Sequence, residues 1–99
     1  MRLISVSTLK EFWSRPRCTD AEQPLRTWVK VVRAARWWRP VDIKQVFRSA
    51  DILPNGRVVF DIGGNKYRLI AAVHYRGGRV YVRFIGTRSE YDRIDATTV

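Results

Sequence analysis

Apolar residues change their period once along this chain, near residue 56. Before that point they follow helical spacing. Leu25, Trp28, Val29, Val32 and Ala35 form one stripe. Arg26, Lys30 and Arg33 lie off it, and Arg36 continues the basic side. Asp20 is the expected start of this helix. Gln23, three residues on, resembles a capping box, and Pro24 is tolerated in a first turn. An earlier helix is expected from a Ser7 cap through Trp13, ended by Pro16 and preceded by a short strand at Arg2-Leu3-Ile4-Ser5. Trp37-Trp38-Arg39-Pro40 breaks the second helix, and the adjacent Trp pair reads as an anchor on the core. A short third turn from Asp42 to Phe47 should follow, and Pro54-Asn55-Gly56 is a turn signal.

After that turn the period is two. Residues 57–62, 65–75 and 79–87 are rich in β-branched and aromatic side chains, with Gly63-Gly64 and Gly77-Gly78 between them. Glycine pairs suit two-residue hairpin loops, which need positive φ. On that register Ile62 pairs with Asn65, Asp61 with Lys66 and Val59 with Arg68. In the next hairpin His74 faces Tyr81, Ala72 faces Arg83, Ile70 faces Ile85 and Arg68 faces Thr87. Alternation then puts Val58, Phe60, Tyr67, Leu69, Ala71, Val73, Val80, Val82 and Phe84 on one apolar face, which should receive the helices. The other face carries Arg57, Asp61, Lys66, Arg68, His74, Tyr81, Arg83 and Thr87. A bulge would move part of this set across the sheet.

Charge gives the second face its interest. The chain has 99 residues, a length that fits one domain, with 19 basic and 9 acidic side chains and a net charge of +10. Such a balance is usually matched by an anionic partner: nucleic acid, an acidic protein or an anionic membrane. The membrane is the weakest of the three, because no apolar run approaches the roughly 20 residues of a spanning helix. The first residues, MRLISVSTLKEFW, also lack a signal peptide's apolar core. A cytoplasmic protein is the expectation. One cysteine, Cys18, and one histidine, His74, argue against a disulfide or a zinc site, so neither a metal nor another cofactor is expected.

The stretch Gly63-Gly64-Asn65-Lys66 invites a phosphate-loop reading, but Tyr67 follows the lysine and a strand follows instead of a helix. It reads as a hairpin turn. Arg57, Lys66, Arg68 and Arg83 are then crowded on one sheet face with only Asp61 for balance, an unfavourable arrangement unless an anion visits. His74 has the plain reading of a solvated sheet residue. After the last strand comes GTRSEYDRID, in which Thr87 or Ser89 can cap a short helix holding Glu90, Tyr91 and Asp92. Arginines beside a tyrosine suit metal-free phosphodiester chemistry on RNA. The guanidinium groups stabilise developing charge, and the 2′-OH supplies the nucleophile.

The opening MRLIS, the segments AEQPLRTW and VVFDIGGNKYRL, and the ending VRFIGTRSEYDRID together resemble HigB-type toxins of bacterial type II toxin–antitoxin systems, in the RelE/ParE superfamily. The resemblance spans essentially the whole chain, and GGN-x-x-R followed by EYD is its specific part. It implies an α+β, RelE-like fold: N-terminal helices on one face of a small, twisted, mainly antiparallel sheet, with a short C-terminal helix. It also implies a ribosome-dependent mRNA endoribonuclease (an mRNA interferase) that cuts translated messages in the A site. Its partners would be mRNA, the ribosome and a HigA-type antitoxin with a helix-turn-helix, operator DNA being met only through that antitoxin. Arg68, Arg83 and Tyr91 match the family's catalytic surface. Arg57, Asn65, Lys66 and Arg88 are RNA-binding candidates. Many relatives carry His where this chain has Arg88, and an Arg does not take up a proton near neutral pH. Two other readings stand beside this one: a non-enzymatic ParE-like toxin that binds a protein target, and a plain ribosome- or RNA-binding module.

Overall fold

The computed structural model describes residues 1–99. In chain order the elements are β1 (Arg2–Ile4), α1 (Val6–Trp13), a single 3₁₀ turn (Thr19–Ala21), α2 (Glu22–Ala34), α3 (Pro40–Val46), β2 (Asp51–Ile52), β3 (Arg57–Ile62), β4 (Tyr67–His74), β5 (Arg79–Thr87) and α4 (Arg88–Tyr91). The five strands form one sheet in the order β1-β5-β4-β3-β2. Only β1 runs parallel to its neighbour, β5; the other pairs are antiparallel. The α+β class and the helix–sheet–helix arrangement therefore match the expectation.

Several local features differ from it. Ser5, in the left-handed region at φ 74°, precedes α1, so the helix starts two residues earlier than a Ser7 cap would place it. Asp20 does not cap α2. Its carboxylate receives the Lys66 ammonium and the Tyr67 hydroxyl, and the chain enters the helix through the 3₁₀ turn. The third helix begins at Pro40, whose fixed φ and missing N–H suit a first helical position. Asp42 then accepts the Trp38 and Arg39 N–H groups at 2.8 and 3.1 Å. The edge strand β2 has only two residues and carried no periodic signal.

The helices cover one face of the sheet. Leu25, Trp28, Val29 and Val32 of α2 and Leu9 and Phe12 of α1 are buried against Val58, Phe60, Tyr67, Leu69, Ala71, Val73, Val80 and Val82. Trp28 meets Phe60 edge-on at 5.4 Å, and Trp37 stacks on the same ring at 6.5 Å. Of the Trp pair, then, Trp37 anchors the core, whereas Trp38 is 64% exposed beneath the Arg36 guanidinium. Cys18 is a buried free thiol.

The hairpin register is where the strand pattern misled. Ile62 pairs with Tyr67, Asp61 with Arg68 and Val59 with Ile70, so the first loop has four residues, 63–66. The second loop, 75–78, also has four, and His74 pairs with Arg79. Each loop is two residues longer than expected, which leaves the faces unchanged because the side-chain period is two. A β-bulge does change them. The partner of Ala71 is Val82, but that of Ile70 is Phe84, and Arg83 is the extra residue. Beyond the bulge, Phe84 lies opposite Ile70 on the outer face, while Ile85 and Thr87 lie opposite Leu69 and Tyr67 on the helix side. Phe84 is therefore lost from the expected apolar face and Thr87 from the expected basic one.

The outer face is also not open throughout. Val59 and Ile70 are buried there with Ala96, and Leu53, Phe84, Tyr91, Ile94 and Val99 pack around them. The segment after β5 folds back over the sheet to build this second, smaller core.

Candidate functional site

Arg68 lies at the first outward position of β4, directly opposite Asp61 on β3. Its Nη1 is 3.0 Å from Asp61 Oδ1, in a pair whose side chains are only 14% and 21% exposed. Nη2 donates to Asn65 Oδ1 at 3.1 Å, from the hairpin loop three residues earlier. The guanidinium carbon lies 5.5 Å from the centre of the Tyr91 ring. Nε is buried without a partner. The sequence thus brings a fixed cation, an amide and a phenol together, and each is positioned by a different element. The Tyr91 hydroxyl makes no hydrogen bond within the chain, so it is available to a ligand.

The helix that carries Tyr91 is short but doubly capped. Glu90 N–H donates to Thr87 Oγ1 at 3.2 Å, and Thr87 N–H donates to Glu90 Oε1 at 3.0 Å. Arg15 of the α1–α2 connection adds an ion pair to Glu90 at 3.1 Å. The Thr87 N–H, and after it Arg15, hold the Glu90 carboxyl below its ordinary range against the opposing effect of burial.

Arg83 is exposed on the same outer face and makes no ion pair; its guanidinium lies 5.5 Å from the Tyr81 ring centre. On ordinary sheet spacings its Cα lies roughly 10 Å from that of Arg68. Arg88 is exposed at the start of α4 and is likewise unpaired.

Two candidates lie elsewhere in the network. Arg57 is committed to the chain itself: Nε and Nη2 donate to the Val99 main-chain oxygen at 3.0 and 2.8 Å, and Nη1 donates to Asn55 oxygen at 3.0 Å. Lys66 turns to the helix side, where it pairs with Asp20 and lies over the Tyr67 ring. The Lys66 hydrogen bond, followed by that of Tyr67, lowers the Asp20 pKa, and Asp20 raises that of Lys66. Alternation had put Lys66 on the basic face, but it belongs to the four-residue loop, which releases it from that rule. The expected register pairs Asp61 with Lys66, whereas the structure sets it opposite Arg68, which it holds. The extra register shift hid that contact.

A concavity of about 700 Å³ between α1 and α2 opens on the opposite side and is lined by Val6, Lys10, Trp13, Arg26, Val29, Lys30, Arg33 and Ala34. Its lining includes no carboxylate or imidazole. No three His, Cys, Asp or Glu side chains come together anywhere in the chain. No helix is long and apolar enough to cross a membrane.

Residues 21–94 match the HigB toxin family, described as the RelE-like toxic component of a toxin–antitoxin system. The chain belongs to that family. The mRNA interferase toxin HigB of Escherichia coli K12 is 36% identical to it over 56 residues, which is 54% of each chain. The mRNA interferase HigB of Shigella flexneri matches over the same length with the same identity. The chain spans about half the length of these two relatives. The mRNA interferase HigB of Escherichia coli O6:H1 is 28% identical over 96 residues, covering 95% of this chain and 91% of that one. The family match includes GGN-x-x-R and SEYD, so the whole Arg68–Asn65–Tyr91 cluster of this HigB-family chain lies inside it.

Proposed function

We propose that this chain is an mRNA endoribonuclease and the toxin of a type II toxin–antitoxin pair, acting in the cytoplasm on messages in the ribosomal A site. The observation that carries the reading is the Arg68 guanidinium, fixed by Asp61 and Asn65 and set against the Tyr91 ring on the face where Arg83 is free. The 2′-oxygen of the message attacks the adjacent phosphorus, and the bond to the 5′-oxygen of the next nucleotide breaks. The 2′-OH proton passes to solvent water, and the departing 5′-oxygen takes a proton from water, leaving a 2′,3′-cyclic phosphate. Arg68 and Arg83 bind the phosphate and stabilise the charge gained on its non-bridging oxygens. Tyr91 orients the 2′-OH through its unbonded hydroxyl. Asn65 fixes Arg68, and Arg88 meets the backbone of the strand. Arg57 and Lys66 keep their internal partners and take no part in binding. The relatives' names support an RNA substrate, and the charge of +10 supports an acidic, HigA-type antitoxin as the neutralising partner, with DNA contacted only through it.

The test is a map of new mRNA 5′ ends in cells after a brief pulse of the chain, beside Arg68→Ala, Tyr91→Phe and a translation-blocked control. Cuts inside translated codons, lost in both variants and under the block, are the expected result. Growth arrest with intact messages would remove the nuclease and leave a toxin that works by binding.

A further inference from the structure

We propose that Tyr81 is a stacking platform for a nucleobase of the bound single-stranded RNA, a contact separate from the phosphate cluster at Arg68. This inference rests on the reading of RNA as the ligand. Tyr81 is half-buried on the outer face of β5, opposite the small side chain of Ala72. Its ring is held from two directions. His74 on β4 meets it edge-on, 5.1 Å between centres and 73° between planes, and Arg83 approaches it at 5.5 Å. A ring fixed in this way loses little freedom when a base stacks on it.

The position is as informative as the ring. The segment after β5 covers the part of the outer face around Val59 and Ile70, and Tyr81 and His74 lie further along the sheet. Arg79, paired in register with His74, and Arg83 flank this end without any acidic partner. Tyr81 lies four residues along from the level of Arg68 and one strand over, roughly 14 Å on ordinary sheet spacings. A strand held at Arg68 and Arg83 would run along β5 and lay a nearby base, not the one at the reacting phosphate, on Tyr81. The plain alternative is a cross-strand His–Tyr pair that only adds to sheet stability.

Base-dependent binding separates these roles. The probe is a short 2′-O-methyl RNA strand, which cannot be cut, compared with an abasic strand of the same length by fluorescence anisotropy. The wild-type chain should bind the base-bearing strand more tightly. Tyr81→Ala should lose about tenfold in affinity for that strand and nothing for the abasic one, while Tyr81→Phe keeps the wild-type behaviour. Arg83→Gln should weaken both and reduce the salt slope by about 0.7. A wild-type chain that binds neither strand, or both equally, overturns the platform; so does an equal loss on both strands in Tyr81→Ala. The message map reads the nuclease independently. Base-dependent binding through Tyr81 without cuts in cells would keep the platform and remove the nuclease, and cuts without base-dependence would do the reverse.

Discussion

Arg57 and Arg68 face the same side of the sheet, yet their surroundings give them opposite duties. Arg57 has both arms of its guanidinium on main-chain oxygens of Val99 and Asn55. Arg68 spends one nitrogen on Asp61 and one on Asn65, and keeps a ring face against Tyr91. Alternation along a strand tells which face a side chain occupies, but not which neighbours arrive there from distant sequence. For that reason the pattern offered Arg57 and Arg68 as equals. The two should separate on mutation. Arg57→Ala should lower stability by about 1.5–3 kcal/mol, the usual worth of hydrogen bonds to a charged group, and leave the cut pattern of surviving folded protein unchanged. Arg68→Lys keeps the charge but not the planar fork, and should lower cleavage by about a hundredfold or more with little change in the urea midpoint. Urea unfolding and the message map together check both halves. An Arg57 variant that is stable and inactive would return that residue to the site.

At the scale of elements, α4 is four residues long and could not persist by helix propensity. It exists because Thr87 and Glu90 satisfy each other's N–H groups and because Tyr91 and Ile94 pack on the second core. The sequence offered Thr87 or Ser89 as the cap, and the structure chooses Thr87, whose partner Glu90 stands three residues on. The bulge before it was not, since nothing in VRFIGT marks Arg83 as the extra residue. Yet that bulge decides that Phe84 joins the small core on which Tyr91 also packs instead of the main one. Thr87→Ala should cost about 1 kcal/mol, the ordinary worth of an N-cap, and release Tyr91 from Arg68. Acid should do the same by another route. The Glu90 pKa is depressed in the folded chain, by the Thr87 N–H first. Its stabilisation is therefore complete above the unfolded carboxyl value of about 4.3 and is lost as pH falls through the lower folded value. The Tyr91 ring resonances should thus shift below about pH 4 in the wild type, and Glu90→Gln should abolish that step. A Tyr91 signal that moves identically in both proteins would place the titration elsewhere.

For the whole molecule, the sheet is a divider with a large core on one side and a small one on the other. The helix stripe and the alternating strands announced the large core, because each has a period the eye can follow. The small one comes from an aperiodic segment after β5, whose residues Ile94, Ala96 and Val99 carry no regular spacing. The outer sheet face is in part interior, and the proposed RNA surface is the strip that this segment leaves uncovered. Removing residues 93–99 measures how much the second core matters. Val59 and Ile70 would lose their cover, and full exposure of each costs about 1.5–3 kcal/mol. Phe84 and Leu53 remain beside them, so the loss should be about 2–4 kcal/mol from the apolar contacts, with the two Arg57–Val99 hydrogen bonds lost as well. Against an ordinary total of about 5–15 kcal/mol, such a chain stays folded at low temperature but melts earlier. Urea unfolding should show the drop in midpoint, and the dye ANS should bind the exposed apolar strip. If stability held and no dye bound, the segment would be only resting on the sheet, and the confinement of the RNA surface to the Arg68–Tyr81 strip would fall with it.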